Sequence, residues 1–257
     1  MNIYVAALLT TALTSLNAGL LSPFLVQKRL SLVSDGLAHV AFAGVALGLL
    51  ININPYLTAF ILAALASHYI LTESTSHADA KTATTLTLGI ATAILLLSIN
   101  ESLAANVLNY LFGNVYLAQT PEILAQTALL LTTTTYIYTY RNQLTLLALD
   151  EALAAQRHRH INIHKAILGT LIAATVSLGI RVLGVLLITA LLVFPALIAL
   201  RTAKSQRHTV IQSVALSLTL STLGVAVSIL TDLPASTTIV YAFILGLAAQ
   251  RAHQALT

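Results

Sequence analysis

The sequence has no cysteine, one methionine and little charge: Asp, Glu, Lys and Arg together make up 8% of its 257 residues. Each shortage removes a class of protein. Without cysteine there is no disulfide framework, no thiolate metal site and no cysteine nucleophile. The lone methionine, Met1, leaves no thioether path for a soft ion such as copper(I). No Gly-Lys dipeptide occurs, so the phosphate-binding loop Gly-x-x-x-x-Gly-Lys-Ser/Thr is missing, and any ATP hydrolysis tied to this chain belongs to another subunit. The metalloprotease pattern His-Glu-x-x-His and the nucleophile elbow Gly-x-Ser-x-Gly are missing too. Scarce charge excludes a water-facing surface, since an average soluble domain carries about a quarter charged residues. What fills the chain instead is apolar: 58% hydrophobic residues in long runs, with a mean hydropathy of +0.89. The composition predicts an all-α, polytopic membrane helix bundle. Its net charge of +4 is dispersed between apolar runs, a pattern of membrane topology and not of nucleic-acid binding.

A spanning helix needs about 20 mostly apolar residues. Nine stretches qualify, near 3–26, 34–51, 55–72, 83–100, 122–140, 165–180, 182–200, 209–230 and 235–250. The count falls to eight if the Pro195-containing stretch does not cross. Short connections make 1–257 a single transmembrane domain, and the two longer ones fall near 101–121 and 141–164. Basic residues favour cytoplasmic loops. With the N-terminus outside and the C-terminus cytoplasmic, Lys28, Arg29, Lys81, Arg141, Arg157, Arg159, Lys165, Arg201, Lys204, Arg207 and Arg251 all fall inside, and Arg181 alone falls outside. The first apolar stretch exceeds a signal-peptide core and no basic residue precedes Lys28, so it reads as a retained helix.

Most charged residues lie in connections, but Asp35 and His39 do not. They open the second span, and His39 lies roughly 15 Å along the helix from Arg29. Spacing of i, i+4 puts both side chains on one face. An ionisable group within a span is costly unless paired or wet, and is a functional candidate by default. One carboxylate and one imidazole suit a borderline divalent metal such as zinc, manganese or iron(II). The plainer alternative is that Asp35 caps the helix while His39 bonds a neighbouring carbonyl. Two ligands make a sparse site, which a second copy of the chain across a two-fold axis would complete. Gly36, Gly44 and Gly48 on the same helix let neighbouring backbones approach closely. His158, His160 and His164 alternate with Arg157, Arg159 and Lys165, whose positive charge opposes cation binding.

Arg29 through Gly48, with its Ser-Asp-Gly-Leu-Ala-His core, resembles the second-helix signature of the integral membrane permeases of zinc/manganese/iron ATP-binding-cassette importers. Three further stretches agree in order: Asp150-Glu151-Ala152-Leu153-Ala154, Gly184 through Ala196, and Thr231 through Val240. The resemblance covers essentially the whole chain. It departs from the family at Gln156 through His160, where a glycine usually follows the acidic segment, and at Ser236, where a glycine is common. It implies a permease in the plasma membrane, the inner membrane of a bacterium, working as a homodimer with cytoplasmic ATP-binding-cassette ATPase subunits and an extracytoplasmic metal-binding protein. It implies that Asp35 and His39 form a transient metal site, with no permanently bound cofactor, and that metal passes inward by alternating access. Segment 141–165, with Asp150, Glu151, Arg157 and Arg159, is then the candidate ATPase-coupling element. Glu101, Glu122, Arg181 and Asp232 mark where a binding protein would dock. The rival reading is a self-sufficient secondary carrier or channel using Asp35 and His39 as a proton or metal relay, and no inverted repeat supports it.

Overall fold

A computed structural model describes residues 3–71, 78–100 and 104–256. They form eleven α-helices and one 3-10 turn, with no strand among the described residues. In order these are α1 (Ile3–Gln27), α2 (Val33–Leu50), α3 (Pro55–Leu71), α4 (Ala78–Ile99), α5 (Ala104–Phe112), the turn Val115–Leu117, α6 (Thr120–Thr139), α7 (Arg141–Leu149), α8 (Glu151–Arg157), α9 (Ile161–Ala199), α10 (Gln206–Thr231) and α11 (Ala235–Leu256). Helices α1, α2, α4, α9 and α10 are each long and apolar enough to cross a bilayer. The chain is a multi-pass, all-α membrane bundle.

Helix α9 is its axis. A helix apolar on all sides is one that is buried, and α9 packs against α1, α2, α3, α5, α10 and α11. Ile172, Ile180, Leu183, Leu187, Ile188 and Leu191 are all fully buried. The two spans expected at 165–180 and 182–200 lie within its 39 residues, and the break between them is at Gly184, not at Arg181. Gly184 holds φ 80° and ψ 164°, a conformation reserved for glycine. The chain folds back there. A Cβ on Gly179 would come within 2.8 Å of the Ile188 side chain, whereas nine residues of straight helix would separate the two by roughly 13 Å. At the fold-back the Gly184 backbone packs directly on Phe112 and Gly113 at the end of α5. Gly113 also has positive φ, 73°, and the Asn114 N–H donates to the Arg181 carbonyl at 3.1 Å. The described part of the 101–121 connection, 104–121, is therefore partly helical and packed into the bundle.

Polar side chains settle the rest of the packing. Pro195 cannot donate within α9; beside it, Ser22 of α1 accepts from the Ala196 N–H at 3.2 Å. Helix α10 carries a buried stripe of Thr209, Ser213, Ser217 and Ser221 at four-residue spacing. Ser217 donates to the Ser15 carbonyl of α1 at 2.7 Å, and a Cβ on Gly19 would meet the Val214 Cα at 2.9 Å. This is small-residue packing of the kind membranes favour, because lipid gives helices no hydrophobic reason to associate. The outward faces of α4, α6, α10 and α11 carry Leu88, Leu95, Leu131, Leu230 and Leu245, all exposed, as a lipid-facing surface requires.

Candidate metal site and the ionic clusters around it

Asp35 lies in the first turn of α2, and His39 follows one turn later. His39 Nε2 and Asp35 Oδ1 are 3.8 Å apart, with side chains 17% and 40% exposed respectively. Two ligand atoms about 2.1 Å from one tetrahedral metal would be roughly 3.4 Å apart, so a small rotation brings the pair to a shared ion. The residue before α2, Leu32, makes no side-chain cap. Among the described residues, no group of three or more His, Asp and Glu side chains is placed to hold a metal.

Asp35 lines a groove of about 670 Å³ between α2, the second limb of α9 and the start of α11, with Phe112 of α5 also in its wall. Its walls are mainly apolar, with hydroxyls from Ser31, Ser34, Thr189, Ser236, Thr237 and Tyr241. Asp35 is the one carboxylate among the described residues lining it. Hydroxyl oxygens beside a carboxylate can replace part of a cation's water shell without adding charge. Behind the site, α2 is held by glycine contacts. A Cβ on Gly36 would meet Thr82 of α4 at 3.3 Å, and one on Gly44 would lie 2.6 Å from the Ala59 Cα of α3. Gly48 meets α3 near Pro55 and Thr58. Gly89 of α4, which the sequence reading passed over, sits against the His39 backbone, where a Cβ would come within 2.8 Å. Any side chain at 89 would push α4 away from the pair.

Two ionic clusters flank this region. At one end, Glu151 at the start of α8 pairs with Lys28 at 2.9 Å and with Lys165 of α9. Burial alone would raise the Glu151 carboxyl, but the two ammonium groups outweigh it and hold the carboxyl below its ordinary 4.5. Burial pushes the Lys28 ammonium down from its ordinary range; Glu151 offsets this in part, and the nearby Lys165 charge adds to it. Lys28 and Lys165 are 9% and 6% exposed, and their partner is the residue expected to face an ATPase. Glu151 is thus spent inside the chain. Asp150 caps α8, its Oδ1 accepting from the Leu153 N–H at 2.9 Å, while Arg157 and Arg159 are exposed.

At the other end, Arg181 donates to Glu122 Oε1 at 2.7 Å and to the Tyr56 hydroxyl at 3.1 Å. Tyr56 donates to the same carboxylate. Oε2 of Glu122 accepts from the Gln119 N–H at 3.1 Å, which ties the cluster into the start of α6. Arg181 and Glu122, placed with a docking surface by the sequence, are therefore joined to each other; Glu122 is 6% exposed. Asp232 is separate from them, exposed, and ends α10 in a left-handed conformation with φ 56°. Glu101 lies outside the described residues. No local motif announces either cluster, because partners such as Lys28 and Glu151 are far apart along the chain.

A helical membrane bundle with an acid–imidazole pair within one helix, its carboxylate lining a groove between helices, has the architecture of a transport subunit. The chain belongs to the ABC 3 transport family, which it matches over residues 1–250. It is 31% identical over 226 residues to the high-affinity zinc uptake system membrane protein ZnuB of Haemophilus influenzae, covering 85% of this chain and 84% of that one. It is 27% identical over 237 residues to the manganese import system permease protein ScaB of Streptococcus gordonii, covering 91% and 85%. Its fold is similar to that of a chain in PsaBC from Streptococcus pneumoniae, solved in complex with Fab, with a TM-score of 0.86 and 23% identity over 97% of this chain and 91% of that one.

Proposed function

We propose that this chain is the membrane-spanning subunit of an ATP-driven importer for a divalent transition metal, zinc, manganese or iron. Membership of the ABC 3 transport family supports the class. Relatives named for zinc uptake and manganese import support the cargo. The observation that carries the reading is the Asp35–His39 pair, 3.8 Å apart and one turn from each other on α2, with Asp35 lining the groove. The metal is cargo. Asp35 supplies an anionic oxygen and His39 a neutral nitrogen, and both must be free of the acidic proton to bind. So sparse a set, without thiolates, holds an ion weakly enough to release it. A second copy facing the groove would contribute another pair. Re-orientation of the bundle, driven by ATP hydrolysis on separate cytoplasmic subunits, passes the ion from an extracytoplasmic binding protein to the inside. In this reading the N-terminus lies outside, the C-terminus is cytoplasmic, and α7 and α8 face the ATPase through Arg157 and Arg159. Asp232 belongs to the face that meets the binding protein.

The test is uptake of radioactive zinc, manganese and iron into proteoliposomes holding the chain with its ATPase and binding protein. Uptake that needs ATP and collapses in Asp35→Ala/His39→Ala, with the melting temperature within a few degrees of wild type, supports the reading. Uptake that persists without ATP makes the protein a secondary carrier. Uptake that survives the double substitution removes the site assignment.

A further inference from the structure

A second groove, of about 560 Å³, lies away from the Asp35 groove, between α1, α6, the start of α7 and α10. Its volume falls within the ~300–1,000 Å³ of small-molecule sites. Its deep wall is apolar, formed by Leu20, Phe24, Ile137 and Val210. Its mouth is basic. Arg141 opens α7 directly after α6 ends, and Arg207 lies in the first turn of α10; both line the groove and both are exposed. Arg141 also stacks over the Tyr138 ring at 5.8 Å. No acidic side chain is among the residues lining this groove.

The layout follows the bilayer's own polarity. Both arginines stand at helix ends, where spans emerge. Leu20 lies seven residues inside the end of α1, so the groove reaches roughly 10 Å into the hydrocarbon level. An occupant must therefore be apolar at depth and anionic at the surface. We propose that this groove is a binding site for one anionic phospholipid, its phosphate between Arg141 and Arg207 and an acyl chain along Leu20, Phe24 and Ile137. Guanidinium groups suit the partner, because they form paired hydrogen bonds to phosphate oxygens. A second copy of this chain is a poorer occupant. Among the described acids at this end of the bundle, Glu151 is committed to two lysines and Asp150 to the α8 cap, which leaves the exposed Asp79 as the one carboxylate of the three to meet two arginines.

The experiment is native mass spectrometry of the full-length chain in detergent, titrated with phosphatidylglycerol or with phosphatidylcholine of the same acyl composition. The expected result is one preferentially retained phosphatidylglycerol per chain. Arg141→Ala/Arg207→Ala weakens that retention roughly 30-fold, about fivefold per arginine. Ile211→Trp, which fills the groove from its exposed rim, weakens it with both arginines in place. Lys204→Ala, a basic residue outside the groove, leaves it unchanged. Equal retention of the two lipids overturns the proposal, as does phosphatidylglycerol binding that survives the double substitution. Full competition by inorganic phosphate, with no effect of Ile211→Trp, also overturns it, since the groove would then hold only an anion. A change in oligomeric mass without a change in bound lipid assigns the groove to a second copy and overturns the proposal as well.

Discussion

The two buried ionic clusters solve the same problem with different charge counts. The Tyr56–Glu122–Arg181 cluster holds one acid and one base, and the phenol completes the carboxylate's hydrogen bonding. The Lys28–Glu151–Lys165 cluster sets one acid against two bases. Arg181 and Lys165 are sixteen residues apart on the same limb of α9, roughly 24 Å of helix, so the clusters stand near opposite ends of the bundle. The balanced cluster joins the first turns of α3 and α6 to the end of the α9 limb, fixing spans to one another. The unbalanced one fastens a short helix, α8, to the turn after α1 and the start of α9. That turn leads within a few residues to Asp35. A balanced buried pair has a net charge of zero to bury. A surplus positive charge makes the second cluster the costlier to bury, and what it holds is the short helix α8.

The largest effect is expected from breaking the balanced cluster. Glu122→Ala leaves the Arg181 guanidinium without its counter-charge and should cost about 3–5 kcal/mol, as removal of one partner from a buried pair does. Replacing both, as Glu122→Leu/Arg181→Leu, should recover most of that loss. Chemical denaturation in detergent, with the two single variants alongside the double, checks it. If the single variants cost under about 1 kcal/mol, the cluster behaves as a surface pair and the comparison fails.

Next comes the fold-back that the balanced cluster overlooks. Gly184→Ala forces a Cβ into a glycine-only conformation, worth about 1–3 kcal/mol by itself, and drives it into the backbone of Phe112 and Gly113. Thermal melting should show a loss at the upper end of that range, and Gly113→Ala should reproduce it from the other side of the contact. This position also shows what could be read in advance. Apolar run length gave the long apolar helices α1, α2, α4, α9 and α10, and the i, i+4 rule put Asp35 beside His39, because both are local. Arg181 was the visible interruption between the two limbs of α9, so the break was expected there. The backbone turns at Gly184, where a glycine takes the positive φ that the turn requires, while Arg181 stays helical and finds Glu122 and Tyr56. Pairings such as Lys28 with Glu151, and the seat of Gly89 on the His39 backbone, depend on which helices become neighbours. Periodicity within one helix carries no such information.

For the unbalanced cluster the sign of the effect depends on which member is removed. Glu151→Gln strands two lysines and should cost about 2–3 kcal/mol. Lys28→Met leaves a one-to-one pair and relieves the burial of a surplus charge, so its cost should stay below about 1 kcal/mol. Melting temperatures of the two variants, measured together, separate the readings. An equal loss in both would mean that each lysine is needed as a hydrogen-bond donor and that charge count is irrelevant.

The smallest and most local effect is in pH. The Glu151 carboxyl is held below its ordinary 4.5 by Lys165 and Lys28 against the opposing effect of burial. A carboxyl with a depressed pKa in the folded chain stabilises the docked state fully above the unfolded value, and that contribution fades as pH falls through the folded one. Helix α8 should therefore stay docked above pH 4.5 and loosen below it. Since the chain has no cysteine, Ala155→Cys on the exposed face of α8 accepts a single spin label, and its mobility should rise as acid is added. In Lys28→Met one of the two ammonium groups opposing burial is gone, so the Glu151 carboxyl rises and the loosening begins at a higher pH. A label whose mobility is flat across this window, or a transition unmoved by Lys28→Met, would mean that α8 is held by Leu144, Leu147 and Ala154 packing and that the ion cluster adds nothing to its docking.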